Sequence, residues 1–315
     1  MPPDRDLKLA FSDVNHFYAI GSNRALVFDA DAISGGHPPI IVAKFDPNTE
    51  VSSITSDGRK AILVVTESPE HVRLVLFDTT TGQREAIPPG WYDSADSETP
   101  AALSGDGRLL SVFSASGIAD SPLAVSVYDW PTRTLVVKRT SEWLSAGGAY
   151  TGGVTSDGQI EFVSTRGKRK LVDLKTGSLL AWFGLDSVRS PDGKWVVDFP
   201  DRNWNESAPR DALLKDGTSA QTRGKLNFDP PVSDDESYGT MSGAFCGTTG
   251  RFVAARAQSV ALYSIPGGNL LVSFPVSSWR DPKADEMEVP TVACSPTGTR
   301  VAILSGSRLT FHDLN

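Results

Sequence analysis

The sequence predicts an all-β fold, a seven-bladed β-propeller of four-stranded antiparallel blades, and three observations support it. A short turn motif recurs along the 315 residues, with an apolar strand before and after each copy. A third strand then ends in an aromatic residue and usually an aspartate. A repeat of roughly 40 to 50 residues is typical of solenoids and propellers. Because four short strands cannot bury both their faces, successive units must stack around an axis.

The turn motif centres on Asp-Gly, in which glycine supplies the positive φ of a tight hairpin turn. The strand after the turn is strongly apolar, as in Ala61–Val65. The copies are Phe11–His16, which is the weakest, Ile54–Arg59, Leu103–Arg108, Val154–Gln159, Arg189–Lys194, Cys246–Arg251 and Cys294–Thr299.

The third and fourth strands of each unit complete the predicted blades. The third strands end in Phe28-Asp29, Phe77-Asp78, Tyr128-Asp129, Val172-Asp173, Tyr263-Ser264 and His312-Asp313. Turns such as Lys175-Thr176-Gly177 and fourth strands such as Leu179–Trp182 follow. We predict one domain, with blades at about 7–46, 50–90, 99–140, 149–184, 185–229, 238–276 and 289–315.

The third-strand aromatic-Asp pair and the following Thr-Gly resemble WD40 repeats, over nearly the whole chain. The turn Ser190-Pro191-Asp192-Gly193 is similar to those of looser WD40-like propellers. Strict WD40 blades carry Gly-His before the first strand, and none of the four histidines stands there. The resemblance therefore implies the propeller architecture and a chain that diverges from strict WD40 proteins. It does not imply the specific partners of strict WD40 proteins.

The last blade ends after its third strand, at Leu309–Asp313. Residues 1–6 contain two prolines, which make a poor closing strand because proline cannot donate to the ladder. We expect either an incomplete last blade or a domain cut from a longer chain.

Composition excludes some classes of partner. A net charge of −8 argues against nucleic acid, whose binding relies on Lys and Arg. No apolar run approaches the roughly 18 residues of a membrane span, and no secretory signal is visible at the start. We therefore expect a soluble, cytoplasmic protein; the alternative is a protein whose leader peptide has been removed.

The two cysteines, Cys246 and Cys294, occupy equivalent positions in adjacent copies of the turn motif. Equivalent atoms of neighbouring blades are generally too far apart for a disulfide, which needs Cα atoms within about 7 Å. We predict buried free thiols, in keeping with a reducing compartment.

The connections between blades, together with the loops from second to third strands, are rich in acidic and aromatic residues. We call this predicted surface the inter-blade rim. Exposed aromatics beside acids favour recognition of a protein or a basic peptide. The alternative is that each tryptophan folds inward and caps the core between blades. The candidate binding residues are Trp91, Tyr92, Asp93, Trp143, Trp204, Asp234, Asp235, Tyr238, Trp279 and Arg280.

Arg189 is the one charged residue at the position before the turn, where the other copies are apolar. A buried arginine must find a carboxylate or carbonyls, so we expect a structural pairing between blades or a ligand anchor near the channel.

Catalytic motifs are absent from the sequence, and no cluster of histidines indicates a metal site. We therefore expect no cofactor and a non-catalytic interaction module. The alternative is a lyase- or lactonase-like enzyme, or a small-molecule binder, that uses the central channel with Arg189, Asp93 or Asp234 as polar groups.

Overall fold

The repeated turn joins the first two strands of successive antiparallel sheets. This computed structural model describes residues 7–13, 15–21, 23–29, 31, 38–68, 71–92, 101–114, 123–141, 149–156, 158–164, 168–184, 187–199, 211–227, 241–256, 259–276, 279–280, 287–305 and 308–314. Of the elements in these residues, 29 are β-strands and one is a short 3₁₀ helix, Pro89–Trp91. The chain divides into two compact units, the first of which ends at Trp182 and the second of which begins at Phe183.

Blades 1 to 4 are four-stranded sheets whose strands pair in chain order. Blade 1 contains β1 (Lys8–Phe11), β2 (His16–Ile20), β3 (Arg24–Asp29) and β4 (Ile40–Lys44). Blade 2 contains β5 (Thr49–Ile54), β6 (Lys60–Ser68), β7 (His71–Asp78) and β8 (Arg84–Ala86). Blade 3 contains β9 (Ala101–Leu103), β10 (Leu109–Ser114), β11 (Leu123–Asp129) and β12 (Thr134–Ser141). Blade 4 contains β13 (Ala149–Val154), β14 (Gln159–Ser164), β15 (Lys168–Asp173) and β16 (Leu179–Gly184).

Blades 5 to 7 continue this pattern with one difference. Blade 5 contains β17 (Val188–Arg189), β18 (Trp195–Asp198), β19 (Asp211–Asp216) and β20 (Thr222–Asn227). Blade 6 contains β21 (Ser242–Phe245), β22 (Arg251–Ala255), β23 (Ser259–Ser264) and β24 (Leu270–Pro275). A separate pair, β25 (Trp279–Arg280) and β26 (Met287–Glu288), precedes blade 7, which has three strands: β27 (Thr291–Cys294), β28 (Arg300–Ser305) and β29 (Arg308–Asp313).

The sheets confirm the predicted fold class, because seven antiparallel blades follow one another along the chain and the last has three strands. Each strand of the blades lies within one residue of its predicted blade limits. The single-domain assignment stays a prediction.

The turn chemistry is as the sequence predicts. Gly58 and Gly107 have φ of 69°, a left-handed conformation that glycine adopts without steric cost. In blade 3 the Ser104 hydroxyl donates to Asp106 Oδ1 over 2.5 Å, and the Arg108 N–H donates to the same oxygen over 3.1 Å. Burial raises the pKa of Asp106, but these hydrogen bonds outweigh it and hold that pKa below its ordinary value.

A second set of aspartates closes the turns after the third strands, and Asp216 of blade 5 is the strongest case. Its Oδ1 accepts the Ser219 N–H at 2.9 Å, the Ser219 hydroxyl at 2.9 Å and the Thr218 N–H at 3.1 Å. These hydrogen bonds, to which Arg223 adds, lower the pKa of Asp216 to about 2. The ionised form is therefore the one that the folded chain stabilises.

We expect stability to fall as the pH drops from about 4 towards about 2. A carboxyl whose pKa is lower in the folded state stabilises the fold above its unfolded pKa, and this contribution disappears as the folded pKa is approached. Urea unfolding of the wild type and of Asp216→Asn between pH 5 and pH 2.5 measures the contribution of Asp216. The variant should lose less stability over this range, and identical pH profiles would contradict the assignment.

The core lies between successive blades. In the first unit, fully buried residues such as Phe77 of blade 2 pack against Ile20 and Phe45 at blade 1. In the second unit, Phe252 and Tyr263 of blade 6 pack against Val197 and Leu214 of blade 5. Burial of this kind stabilises by about 25 cal/mol per Å² of apolar surface, so the contact between blades is what stabilises each sheet.

Candidate interaction surface

The structure describes five of the predicted site residues: Trp91, Tyr92, Arg189, Trp279 and Arg280. The others lie outside the described residues: Asp93, Trp143, Trp204, Asp234, Asp235 and Tyr238.

Trp91 packs inward between blades 2 and 3. Its ring stacks on Tyr128 with centroids 3.9 Å apart and planes at 2°, and meets Trp130 edge-on at 6.0 Å. The Tyr128 hydroxyl donates to the Trp91 carbonyl over 3.4 Å, and burial raises the pKa of Tyr128. For Trp91, the structure thus supports the inward-capping alternative.

Tyr92 has the same structural role. It is 8% exposed and belongs to the hydrophobic cluster between these blades. Its hydroxyl accepts the Leu74 N–H at 3.2 Å, which ties the connection after β8 to the third strand of blade 2. The 3₁₀ helix that ends at Trp91 therefore anchors the connection between blades 2 and 3.

Trp279 and Arg280 lie on an element outside the blades. They form β25, which pairs antiparallel with β26 so that Trp279 is opposite Glu288 and Arg280 is opposite Met287. In the described part of the connection from blade 6 to blade 7, the backbone thus forms one antiparallel strand pair with this register.

Arg189 ends β17 of blade 5 and is partly buried. Its Nη2 donates to the Gly193 carbonyl over 3.3 Å, across the turn of its own blade. The contact braces the Ser190–Gly193 turn, whose Gly193 has φ of 71°. A pairing with another blade and a ligand-anchoring role both stay predictions.

The prediction of free thiols at Cys246 and Cys294 is wrong. The two residues form a disulfide between blades 6 and 7, with their Cα atoms 4.8 Å apart. The two backbones approach closely at this seam, since a Cβ added at Gly247 would lie 2.4 Å from the Pro296 carbonyl oxygen. The disulfide also removes the free-thiol argument for a reducing compartment.

Sequence reasoning missed a buried ion pair in blade 5. Lys215 stands where other blades carry the third-strand aromatic, and its Nζ donates to Asp198 Oδ2 on β18. The other oxygen, Asp198 Oδ1, accepts the Gly184 N–H at 2.7 Å. The Asp198 side chain is 7% exposed and that of Lys215 is 17% exposed. The signal was available, since a Lys-Asp pair at 215–216 breaks the apolar pattern of the third strands.

Exposed apolar side chains form another feature that was not predicted. Within the described residues, the large exposed ones all lie on fourth strands, in blades 1, 3, 4 and 6: Ile40, Ile41, Leu135, Val136, Leu179, Trp182, Leu270, Leu271 and Val272. Fourth strands are the outer edges of blades, so these residues follow from edge position rather than from a pocket. The adjacent aliphatic residues, such as Leu270-Leu271, were the signal.

The described residues contain neither a metal-binding group nor a membrane-spanning helix. Among these residues, no group of three or more His, Cys, Asp or Glu side chains could hold a metal ion. In the same part of the chain, no helix has the length and apolar character needed to cross a membrane.

Comparison with known proteins settles the fold. A chain in the crystal structure of the mitotic checkpoint complex is similar at a TM-score of 0.63 and 13% identity, over 100% of this chain and 89% of that chain. The protein described in this structure thus has a WD40-like β-propeller fold. No family model and no curated protein matches the sequence. In all, 1358 chains of solved structures match, so the propeller likeness leaves the function to be argued from individual residues.

Proposed function

We propose that this propeller is a non-catalytic module that binds a protein or peptide through its inter-blade rim. The fold supports the proposal, since one chain with a similar structure comes from a crystal of a protein complex. Propellers serve many functions, however, so the residues of the rim must carry the argument.

The observation that carries the proposal is the hairpin of β25 and β26. It belongs to none of the blades, and its two strands keep Trp279 opposite Glu288 and Arg280 opposite Met287. Tryptophan and arginine are the residue types most enriched among binding hot spots. A paired strand whose sequence carries both residue types is therefore a candidate recognition element.

The expected partner surface is basic. The net charge of the chain is −8, and the rim sequence places Asp93, Asp234 and Asp235 beside aromatic residues. Complementary charge raises association rates and excludes acidic partners, while aromatic faces attract ammonium and guanidinium groups. A basic segment of a protein partner fits both properties.

Because Trp91 packs inward, the tryptophans of the rim that remain candidates are Trp143, Trp204 and Trp279. The test is the triple variant Trp143→Ala, Trp204→Ala, Trp279→Ala, used as bait beside the wild type in extract from the native source. Quantitative mass spectrometry with isotope labels then compares the amount of each co-purified protein between the two baits. We expect specific partners to fall at least roughly tenfold, since loss of hot-spot contacts costs about 2 kcal/mol or more.

The matched control is Trp182→Ala, because Trp182 is 44% exposed but lies on the fourth strand of blade 4. This variant should recover partners as the wild type does. Unchanged recovery by a triple variant that keeps the wild-type melting temperature would refute the rim as the binding surface.

A further inference from the structure

The disulfide between Cys246 and Cys294 joins the last two blades at equivalent positions. Cys246 follows β21 and Cys294 ends β27, and their exposed fractions are 0% and 8%. The sulfurs belong to the hydrophobic cluster of this seam, among Val253, Val292 and Val301. The bond is therefore a buried covalent link between two sheets, 48 residues apart in sequence.

Two glycines lie where the two backbones approach each other beside the disulfide. A Cβ added at Gly247 would lie 2.4 Å from the Pro296 carbonyl oxygen, so no other residue fits without a shift. A Cβ at Gly298, where φ is 70°, would lie 2.9 Å from Thr249 Oγ1. The Cα separation of 4.8 Å falls within the usual disulfide range of roughly 4.4 to 6.8 Å.

Hydrogen bonds close the same seam on either side of the disulfide. The Ser242 hydroxyl donates to the Pro290 carbonyl over 2.5 Å, and Arg251 Nη1 donates to the Gly298 carbonyl over 2.8 Å. The seam between blades 2 and 3 uses noncovalent contacts alone at the equivalent strands. There the Ser52 hydroxyl donates to the Ala101 carbonyl over 2.6 Å, and Ile54 and Leu103 stand in place of the cysteines.

Blade 7 has fewer described strands than the blade to which it is linked. In the residues that the structure describes, its sheet has three strands, whereas each of the other blades has four. A sheet with fewer strands has less surface to bury against its neighbour, so it opens at a lower free energy. The covalent link therefore joins a described three-stranded blade to a four-stranded neighbour.

We infer that the Cys246–Cys294 disulfide is a redox-sensitive staple that holds the last blade on blade 6, and that the chain matures in an oxidising compartment. Disulfides form and persist in such compartments and are rare where glutathione and thioredoxin keep thiols reduced. A dithiol reductant opens the staple: its thiolate attacks one sulfur, the S–S bond breaks, two cysteine thiols form and the reductant becomes a cyclic disulfide. Because both sulfurs are buried, this attack requires blade 7 to open first.

The first experiment counts thiols in the protein purified from its native source. Maleimide labelling under denaturing conditions, followed by intact mass measurement, should give no adduct without reductant and two adducts after dithiothreitol. The maleimide is added at lysis so that thiols cannot exchange during purification. Two adducts in protein that has seen no reductant would refute an oxidised staple in the cell.

The second experiment measures what the staple holds. Full reduction should lower the melting temperature by on the order of 10 °C, since a loop of this length loses the constraint on the unfolded chain. Hydrogen exchange should rise in β27 to β29 and stay unchanged in β6. If fully reduced protein keeps its melting temperature and its exchange pattern, the disulfide does not hold blade 7.

The double variant Cys246→Ala, Cys294→Ala is the matched control. It should melt as the reduced wild type does, and dithiothreitol should not change its melting temperature. A further drop on adding dithiothreitol would place the redox effect elsewhere and overturn the inference. If this variant does not fold, reduction of the wild type still decides.

Discussion

Replacing Phe252 by alanine is expected to lower the free energy of unfolding by about 3 to 5 kcal/mol. Phe252 is fully buried on β22, with its ring 4.9 Å from Phe245 and 6.3 Å from Phe199. It belongs to the cluster that joins blades 5 and 6, so its removal leaves a cavity between sheets as well as losing apolar burial. Urea unfolding followed by tryptophan fluorescence measures the change.

Two variants make this prediction specific. Leu271→Ala removes a side chain that is 50% exposed on β24, and it should cost less than about 1 kcal/mol. Gly243→Ala should destabilise the wild type, because the added Cβ would lie 2.4 Å from the Phe252 ring. That cost should shrink in the Phe252→Ala background. Additive costs would contradict the packing described for this seam.

Replacing Lys215 by methionine is expected to destabilise the chain by about 3 kcal/mol. The change keeps the length of the side chain but leaves the Asp198 carboxylate buried without its cation, and removal of one partner of a buried pair costs roughly 3 to 5 kcal/mol. The lower figure applies because Lys215 is partly exposed, at 17%.

The double variant Lys215→Met, Asp198→Asn should recover most of this loss. The asparagine carries no charge and its oxygen can still accept the Gly184 N–H. Lys194→Met is the control: Lys194 pairs with Asp192 at 3.2 Å, but it is 74% exposed and such surface pairs are worth about 0 to 1 kcal/mol. Equal effects of the two lysine substitutions would show that burial of the pair is unimportant.

The blades could be predicted from sequence because their signals are local. Asp106-Gly107 and its relatives encode a turn that depends only on residues within the turn itself, and Gly107 has the expected positive φ of 69°. The apolar strands on either side then set the pairing. The fifth blade shows the limit of this reasoning. Its third strand ends in Lys215-Asp216 and so does not match the aromatic-Asp pattern of other third strands.

Contacts between blades could not be predicted in the same way. The disulfide depends on how closely Gly247 approaches Pro296, a distance that belongs to the seam and not to either turn. Likewise, the sequence alone left two orientations open for Trp91. The structure resolves them because Tyr128, 37 residues further along the chain, provides a flat surface for stacking.

The candidate surface was predictable only as a concentration of residue types in the inter-blade connections. Trp279 and Arg280 form a strand that pairs with β26, and the sequence does not indicate this pairing because each strand has two residues. Recognition depends on such placement, and composition does not encode it. The proposed binding role of Trp143 and Trp204 is therefore argued only from their positions in the sequence.

Site-specific photo-crosslinking tests the central claim most directly. A photoreactive phenylalanine is placed at Trp143, which follows β12, or at the exposed Pro131, in the turn that precedes β12. In sequence, the two positions lie on either side of the same strand of blade 3. Rim binding predicts that the crosslinker at position 143 captures the co-purified partner and that the one at position 131 does not. Capture from position 131 with none from position 143 would contradict the proposal.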